Sequence, residues 1–363
     1  MQSQPNHKKK VLFFLPPTVG GAERMTVVIA KMLPREEFEV KFVLVGKTRG
    51  EIEKYIPAGY PVRFIRLRNI WLFGTTRICK LVRQEQPDML FSSFLYLNVR
   101  LILVAKLCRT RVIVRNNIDL SRTEHKINLP FVRLTYRWAD RIIAQQEEMR
   151  QEIISFTGLP AEKVVTLHNP IDEEYVRTCL KADNPFPPDA QGQYKYICVA
   201  RFNHQKGQDL VVKAFRSVHH DNPDAHLYLL GKFDNDNAFC RSIADEIRNS
   251  KLQNYVHIVG FDSNPYRWVN HADCFVMPSR LEGLPNALID AMYLGKPVVA
   301  TRCIPIIERI VRNSYNGIVV EPDNVEALAE GMRKATLLKD TRMIYQPATG
   351  RDFVSLFNSV LNE

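Results

Sequence analysis

The chain has 363 residues, of which 45% are hydrophobic and 25% are charged, a composition typical of a folded globular protein rather than a disordered one. This length exceeds one ordinary core and predicts two domains. The net charge is +11, and seven scattered cysteines without a Cys-x-x-Cys pair argue against a disulfide framework and against a zinc site.

The N-terminal segment is similar to the start of a signal peptide, because Lys8-Lys9-Lys10 precedes the apolar run Val11–Leu15. That run ends after five residues at Pro16-Pro17, which is too short for the apolar region of a signal peptide. We therefore interpret it as a first β-strand. No run approaches the roughly 18 apolar residues of a membrane-spanning helix, and we expect a protein of the reducing cytoplasm.

The first half of the chain repeats a short apolar strand, a polar or glycine turn and a segment with helical periodicity, which is typical of parallel α/β sheets. Strand Val11–Leu15 is followed by the turn Val19–Gly21 and by a helix that Pro34 ends. One face of that helix is predicted to carry Met25, Val28, Ile29, Met32 and Leu33. Further strands are predicted at Glu39–Val45, Met89–Phe91, Arg111–Val114, Arg141–Ala144 and Val164–Leu167.

The same pattern restarts after Lys181–Gln193, a segment rich in proline and polar residues that is typical of an interdomain linker. A helical stripe of Val211, Ala214, Phe215 and Val218 follows the first strand of this half. Strands are predicted at Tyr194–Ala200, His226–Leu230, Tyr255–Val259, Cys274–Met277, Pro297–Ala300 and Gly317–Val320. A capped amphipathic helix is predicted at Asp323–Leu338.

These elements predict an α/β protein with two Rossmann-like, doubly wound parallel-sheet domains that face each other across a cleft. The domains are residues 1–180 and 194–345, joined by the linker 181–193. Residues 346–363 form a tail helix, and its docking back onto the N-terminal domain stays open. Ligands in open α/β sheets bind outside the carboxyl ends of the strands, so the loops that follow strands are the candidate sites.

The most informative of these loops runs from Pro278 into a helix that Pro285 opens and Gly295 ends. Backbone amides from Gly283 to Ala287 would be free to bind an anion such as a phosphate. Glu282 could accept hydrogen bonds from sugar hydroxyls, and Asp290 could accept them from a ribose. Alternatively, Glu282 only caps the helix and Asp290 lies on a solvated face.

A second loop places Arg201 and Lys206 after the strand Tyr194–Ala200. Two cations at one strand end suit a diphosphate, and they could neutralise a departing nucleoside diphosphate without a metal ion. A third loop carries Gly20 and Gly21, which would let the backbone approach a ligand closely, or which form a simple tight turn. It is neither the G-x-G-x-x-G nor the phosphate-loop pattern, so it does not predict NAD or ATP binding.

The stretch Arg100–Arg150 has eleven Lys and Arg against five Asp and Glu. Its basic residues alternate with aromatic and aliphatic ones, a mixture expected of a surface that contacts anionic lipid headgroups. A solvated basic helix face explains the same pattern, and both interpretations stay open.

Taken together, the loops resemble those of retaining glycosyltransferases with the GT-B fold, in particular glycosyltransferase family 4. The similarity covers nearly the whole chain and lies in Gly20-Gly21-Ala22-Glu23, His168-Asn169-Pro170-Ile171-Asp172, Arg201 with Lys206-Gly207, and Glu282-Gly283-Leu284-Pro285 through Gly295-Lys296-Pro297-Val298-Val299-Ala300.

This resemblance implies an N-terminal acceptor-binding domain and a C-terminal domain that binds a nucleoside diphosphate sugar, with no cofactor and no metal. Arg201 and Lys206 would hold the diphosphate, and Glu282, flanked by Gly283 and Leu284, would hold the transferred sugar. Asp290 would contact the ribose. Catalysis is assigned to Glu282, Arg201 and Lys206, and the cleft and acceptor contacts to Gly20, Gly21 and Asn117.

Two positions depart from the family pattern. Asp290 stands where the family usually has a glutamate, which is one methylene longer. Asn117 lies in a loop where many members have a histidine, and an amide can hydrogen-bond a sugar hydroxyl but cannot shuttle a proton. His125 is close in sequence, and we interpret it as a surface residue.

Several other residues receive a structural interpretation. His168 is assigned to the hinge side of the first domain, and the acidic Asp234-Asn235-Asp236, although similar to a D-x-D metal motif, is assigned to a solvated turn. Phe261, Tyr266 and Tyr293 are candidate neighbours of the base or sugar, although aromatic residues at such spacings more often belong to a core.

The sequence therefore predicts a retaining transferase that moves a hexose or N-acetylhexosamine from a nucleoside diphosphate sugar to a hydroxyl of a glycan. The acceptor would be lipid-linked, at the inner face of the cytoplasmic membrane, in the synthesis of a cell-surface polysaccharide. The alternatives are an epimerase or hydrolase of sugar nucleotides with the same fold, and a basic scaffold or nucleic-acid-binding protein. The net charge alone favours the last of these.

Overall fold

The computed structural model describes residues 8–67, 70–122, 129–339 and 341–363. The chain forms two compact units, one of residues 1–171 with 346–363 and one of residues 172–345. Each unit contains one parallel sheet with helices on its faces. The doubly wound α/β fold predicted from the sequence is confirmed.

In its described residues the first unit has seven parallel strands in the order β3-β2-β1-β4-β5-β6-β7. The strands are β1 (Lys9–Leu15), β2 (Phe38–Gly46), β3 (Val62–Arg66), β4 (Met89–Ser92), β5 (Arg111–Arg115), β6 (Arg141–Ala144) and β7 (Val164–Thr166). The helices that connect them are α1 (Gly21–Lys31), α2 (Ile70–Glu85), α3 (Leu95–Cys108), α4 (Leu129–Thr135) and α5 (Glu147–Thr157).

The second unit has six parallel strands in the order β10-β9-β8-β11-β12-β13. They are β8 (Tyr194–Val199), β9 (Ala225–Leu230), β10 (Val256–Gly260), β11 (Cys274–Met277), β12 (Val298–Thr301) and β13 (Gly317–Val320). Its helices are α6 (Glu173–Cys179), α7 (Gln208–Asp221), α8 (Ala238–Asn249), α9 (Pro265–His271), α10 (Asn286–Tyr293), α11 (Ile306–Ile310) and α12 (Val325–Ala335).

The segment predicted to be a linker, 181–193, belongs to the second unit, and the boundary falls after Ile171 rather than at residue 180. Phe186 explains the difference, because its ring is buried and packs edge-on against Tyr228 and Trp268 at centroid distances of 4.7 and 5.1 Å. A segment that contributes an aromatic ring to a core is not a free linker.

The tail helix α13 (Gly350–Leu361) completes the core of the first unit. Phe353, Phe357 and Val360 are fully buried, and the ring of Phe357 lies 6.1 Å from that of Phe13 and 5.7 Å from that of Phe91. Residues of β1 and β4 thus pack against helix α13, which follows the whole second unit in sequence.

Helix α1 ends before Pro34 as predicted, and its face is predicted in part, since Ile29 and Leu33 are buried and Met25 and Met32 pack against the core. Thr26 and Ala30 are fully buried together with Ile29, whereas Met25 and Val28 are only partly buried. The small Thr26 contacts the residue that follows β4, because its hydroxyl lies 3.0 Å from that of Ser93. Hydrophobicity alone therefore missed the edge of the buried face that Thr26 and Ala30 form.

The remaining differences concern element ends. Strand β3 was not predicted, because Ile65 is its only buried residue and an edge strand of this kind has a weak apolar pattern. The helix predicted at Asp323–Leu338 is shorter, since the side chain of Asn324 accepts a hydrogen bond from the amide of Ala327 and caps α12.

A pair of histidines lies within the second sheet, His226 on β9 and His257 on β10, with Nδ1 of the first 2.9 Å from Nε2 of the second. Burial, and the proximity of the other ring, lower the pKa of His226, and burial lowers the pKa of His257. The facing charged groups are Asp224, Asp189 and Lys195, and His219 lies nearby on α7. Two neutral imidazoles sharing one N–H···N hydrogen bond satisfy this geometry.

We expect the second unit to lose stability as the pH falls below about 6.5, with a slope well below the limit of about 1.4 kcal/mol per pH unit for each ring. The sign follows because a depressed folded-state pKa makes the unfolded chain bind protons first. Urea unfolding between neutral and mildly acidic pH measures the slope. The double variant His226→Gln/His257→Gln should show a shallower slope than the control His220→Gln, whose ring is exposed. Equal slopes in both variants would contradict the assignment.

Candidate active site

Both sheets reverse their strand order at one position, between β1 and β4 in the first unit and between β8 and β11 in the second. The crevice outside the carboxyl ends of such strands is where open α/β sheets bind ligands. In the second unit the loops at this position are 200–207 after β8 and 278–285 after β11. These are the two loops in which the sequence places a diphosphate and a sugar.

The two loops pack tightly against each other because residue 207 is a glycine. Gly207 has a φ of +70°, and a β-carbon there would clash with the carbonyl oxygen of Pro278. The amides of Arg280 and Leu281 both donate to the carbonyl of Gln205, at 2.7 and 3.3 Å. A bulkier residue at position 207 would separate the loops.

Arg280 also connects these two loops, and the sequence did not single it out. Its guanidinium donates two hydrogen bonds to the carboxylate of Asp209, at 2.8 and 2.7 Å, and one to the carbonyl of His204 at 2.7 Å. Burial opposes ionisation of Asp209, but the bonds from Arg280 hold its pKa below the ordinary value. The partners are 71 residues apart in sequence, so no local pattern indicates this clamp.

Lys206 and Glu282 form an ion pair across the two loops. The ammonium of Lys206 lies 2.7 Å from Oε2 of Glu282, and both side chains are largely buried, at 19% and 11% exposure. The hydroxyl of Ser279 donates to Oε1 at 2.7 Å, so each carboxylate oxygen of Glu282 has a partner. The structure therefore brings together the lysine predicted for the diphosphate and the carboxylate predicted for the sugar.

Arg201 follows the same strand, but its side chain is exposed. Its carbonyl accepts a hydrogen bond from Nε2 of Gln208 at 2.9 Å, which fixes the backbone of the loop. Within the described ranges its guanidinium makes no ion pair. Arg201 is thus exposed at the surface of the second unit, in the same loop as the largely buried Lys206.

Helix α10 begins and ends as the sequence predicts to within one residue, with Pro285 at its N-cap and Gly295 after its last turn. Gly295, with a φ of +69°, donates to the carbonyl of Met292, and Lys296 donates to that of Ala291, both at 3.0 Å. At the other end, the amides of Gly283, Leu284 and Ala287 donate no hydrogen bond to any described residue. Such amides suit an anion.

Asp290 is half-buried on α10, and its carboxylate contacts an aromatic residue from α9. The hydroxyl of Tyr266 donates to Oδ2 of Asp290 at 3.3 Å, and the ring of Tyr266 packs edge-on against Tyr175 at 5.9 Å. Tyr293 is half-buried, whereas Phe261 is 64% exposed and is not a core residue. Of the three candidate aromatic neighbours, Tyr266 is the one with a described bond to a predicted site residue.

In the first unit Gly20 and Gly21 lie at the start of α1, after β1 and beside the reversal of strand order. A β-carbon at Gly20 would lie 2.7 Å from Oε2 of Glu23, whose other oxygen accepts a hydrogen bond from Thr18 at 2.6 Å. Because the end of this flexible side chain can move, the contact by itself does not require a glycine at position 20. Glu23, the last residue of the motif Gly20-Gly21-Ala22-Glu23, is a charged group beside this turn.

Asn117 is half-buried after β5, but the polar network of this region is formed by its neighbours. Asn116 is buried and accepts a hydrogen bond from the hydroxyl of Tyr136 at 2.8 Å. Arg115 is buried and bonds Asn169. The sequence has two consecutive asparagines, Asn116 and Asn117. It does not indicate that Asn116 is the one that joins the network.

The remaining candidates are His168, His125 and the acidic turn 234–236. His168 is in the first unit, where Nδ1 lies 3.1 Å from the carbonyl of Gln346, and His125 lies outside the described residues. Asp234 accepts a hydrogen bond from the amide of Asp236 in an exposed turn. Among the described residues no group of His, Cys, Asp and Glu is arranged to hold a metal ion, and no helix is long and apolar enough to cross a bilayer.

The pairing of two such units defines a class of protein, that of the GT-B fold. The Anabaena protein HepE, solved in complex with UDP and glucose, has this architecture with a TM-score of 0.78 and 19% identity, over 98% of this chain and 99% of that one. The predicted GT-B fold is confirmed.

Two sequence families cover most of the chain: Glycosyltransferase Family 4 matches residues 19–175, and Glycosyl transferases group 1 matches residues 181–349. The chain belongs to the group 1, family 4 glycosyltransferases. An uncharacterised glycosyltransferase of Methanocaldococcus jannaschii is 28% identical over 74% of this chain and 72% of its own length.

Another relative is the N-acetylgalactosamine-N,N'-diacetylbacillosaminyl-diphospho-undecaprenol 4-alpha-N-acetylgalactosaminyltransferase of Campylobacter jejuni. It is 25% identical to this chain over 89% of the chain and 88% of its own length. The resemblance inferred from the loop motifs is thus confirmed at the level of the family.

Replacement of Gly207 by alanine tests whether the two loops depend on close contact. Gly207→Ala should cost roughly 1 kcal/mol for the left-handed backbone and at least as much again for the clash with Pro278. Gly192→Ala is the matched control, because Gly192 has a φ of +89° with no atom within 4 Å of an added β-carbon. Unfolding in urea should show the larger loss for Gly207→Ala, and equal losses would refute the contact.

Proposed function

We propose that the protein is a retaining, metal-independent hexosyltransferase that uses a uridine diphosphate sugar as donor and a lipid-linked glycan as acceptor. The observation that carries the proposal is the Lys206–Glu282 ion pair beside the amide-bearing start of α10, at the reversal of strand order in the second unit. A cation, a carboxylate and unpaired amides together match a ligand that is both a phosphate ester and a polyol.

For the donor diphosphate, we assign the amides of Gly283, Leu284 and Ala287 together with Lys206 and Arg201. The amides and the helix dipole favour negative charge, and the two cations add charge-assisted bonds. The complex of the structural relative HepE with UDP supports uridine as the base.

For the sugar and the ribose, we assign Glu282 and Asp290. A carboxylate oxygen has two lone pairs, so Glu282 can accept from a sugar hydroxyl while it keeps Lys206 and Ser279 as partners. The hydroxyl of Tyr266 orients the short side chain of Asp290. On the acceptor side, we propose Gly20, Gly21 and Asn117 of the first unit.

In the reaction, the bond between the anomeric carbon and the phosphate oxygen breaks, and a bond from the acceptor oxygen to that carbon forms. The acceptor proton passes to the departing phosphate. Negative charge accumulates on the phosphate in the transition state, and Lys206, Arg201 and the amides of α10 stabilise it there. These groups supply the positive charge that a metal ion provides in other transferases, which supports metal independence.

The acceptor assignment draws on the relative from Campylobacter jejuni, whose name specifies a diphospho-undecaprenol-linked glycan. A lipid-linked acceptor places this chain in the synthesis of a cell-surface polysaccharide, at the inner face of the cytoplasmic membrane. The transferred sugar is then a hexose or an N-acetylhexosamine.

Thermal unfolding with UDP tests the donor site. UDP at about 100 times its dissociation constant should stabilise the protein by about 2.7 kcal/mol, and EDTA should leave this effect unchanged. Lys206→Ala should weaken UDP binding and turnover roughly 10- to 100-fold, since it removes a charged partner of the diphosphate.

Lys213→Ala, an exposed lysine on α7, is the matched control and should behave as wild type. Because Lys206→Ala leaves Glu282 without its cation, the double variant Lys206→Met/Glu282→Gln separates a loss of folding from a loss of binding. An effect of UDP that disappears with EDTA would refute metal independence. Release of a free sugar or an epimerised nucleotide sugar without acceptor would favour the epimerase or hydrolase.

Tyr266→Phe tests the role of the phenol hydroxyl. Loss of one neutral hydrogen bond to Asp290 should weaken UDP binding roughly fivefold, measured by calorimetry, while kcat changes little. Tyr315→Phe is the control, because Tyr315 is 41% exposed in the same unit. Unchanged UDP affinity in Tyr266→Phe would exclude Tyr266 from the donor site.

A further inference from the structure

Helix α4 of the first unit exposes apolar side chains where a helix on a globular protein normally exposes polar ones. Val132 and Thr135 face the core and are buried. On the outside, Phe131 is 40% exposed and Leu134 is 49% exposed, although both are large hydrophobic residues. A contiguous apolar patch rimmed by polar groups is typical of an interaction surface.

The same face carries positive charge. Arg133 and Arg137 are exposed between and beside the apolar residues, and residues 129–138 contain no Asp or Glu. Within the described part of the chain neither guanidinium forms an ion pair, and that of Arg137 lies 5.0 Å from the ring centroid of Trp138. We call Pro130, Phe131, Arg133, Leu134 and Arg137 the α4 surface.

A groove of about 580 Å³ runs along the α4 surface. Its walls are mainly apolar and include one ring from α5, and the charged residues of the lining are the two arginines. The lining residues are Leu129, Pro130, Arg133, Leu134, Arg137 and Phe156. The groove thus joins hydrocarbon walls to two cations.

Two carboxylates of the neighbouring helix α5 are bonded to other groups. Both oxygens of Glu152 accept hydrogen bonds from backbone amides, those of Leu120 and Ser121, at 2.7 and 2.8 Å. Glu147 is bonded to Thr166 and Arg150. The α4 surface therefore combines exposed apolar side chains with two arginines that form no ion pair among the described residues.

We propose that the α4 surface docks on a bilayer that contains anionic phospholipid. The arginines would bind headgroup phosphates, and Phe131 and Leu134 would enter the boundary between headgroups and acyl chains. A protein partner would need acidic side chains to pair with the two arginines. The apolar walls of the groove favour lipid instead. The proposal rests on the proposed function for its purpose, since an enzyme with a lipid-linked acceptor must work at a membrane.

Flotation of the full chain with lipid vesicles tests the docking. The protein should float with phosphatidylcholine vesicles that contain roughly 30% phosphatidylglycerol, and should float poorly with phosphatidylcholine alone. Raising the salt concentration from about 0.1 M to about 0.5 M should weaken binding several-fold, because the charges are exposed.

Two variants locate the contact. Arg133→Ser/Arg137→Ser should lower the affinity for anionic vesicles by roughly 25-fold, about fivefold for each arginine. The control Lys213→Ser/Arg216→Ser changes the net charge equally on exposed positions of α7 in the second unit and should bind as wild type. Leu134→Glu should also reduce binding, whereas Leu337→Glu, at a leucine that is 78% exposed, should not.

Three outcomes would overturn the docking proposal: no flotation of the wild-type protein with anionic vesicles, equal losses in the α7 and α4 variants, or full binding by Leu134→Glu. Stabilisation by UDP is measured on the same samples and should be intact in every variant. If the wild-type protein does not float but is still stabilised by UDP, docking is refuted and the donor site is supported. Flotation without UDP stabilisation supports docking and refutes the donor site.

Discussion

The close contact between the loops after β8 and β11 is the constraint on which the candidate site depends. Gly207 has no β-carbon, so its backbone can approach the carbonyl of Pro278, and Lys206 is thereby brought to Glu282. Arg280 holds the same approach through Asp209. The charged groups of the site are therefore positioned mainly by backbone packing and by an ion pair outside the site, which reduces the side-chain entropy lost on binding a ligand.

Most of the architecture could be predicted because parallel strands buried on both faces are short, continuous apolar runs. Where that physical basis is weak, the prediction fails. Strand β3 lies at a sheet edge and has a single buried residue, and helix α1 buries Thr26 and Ala30, whose small size matters more than their hydrophobicity. The segment around Phe186 has the composition of a linker, yet one ring is enough to anchor it in a core.

The candidate site was predictable only to the extent that its chemistry is local in sequence. Lys206, Glu282 and the ends of helix α10 follow from residue types next to strand ends, glycines and prolines. The clamp of Arg280 on Asp209 and the contact of Tyr266 with Asp290 join residues far apart in the chain, and no local pattern encodes them. Family resemblance assigns roles to positions, whereas the partners of those positions depend on the fold.

The position of α13 has a consequence for the order of folding during synthesis. The core of the first unit needs Phe353 and Phe357, which are translated after the whole of residues 172–345. The second unit is contiguous in sequence and can therefore form on the ribosome while the first still exposes the apolar faces of β1 and β4. Those faces stay open to chaperones, or to aggregation, until the last helix emerges and closes them.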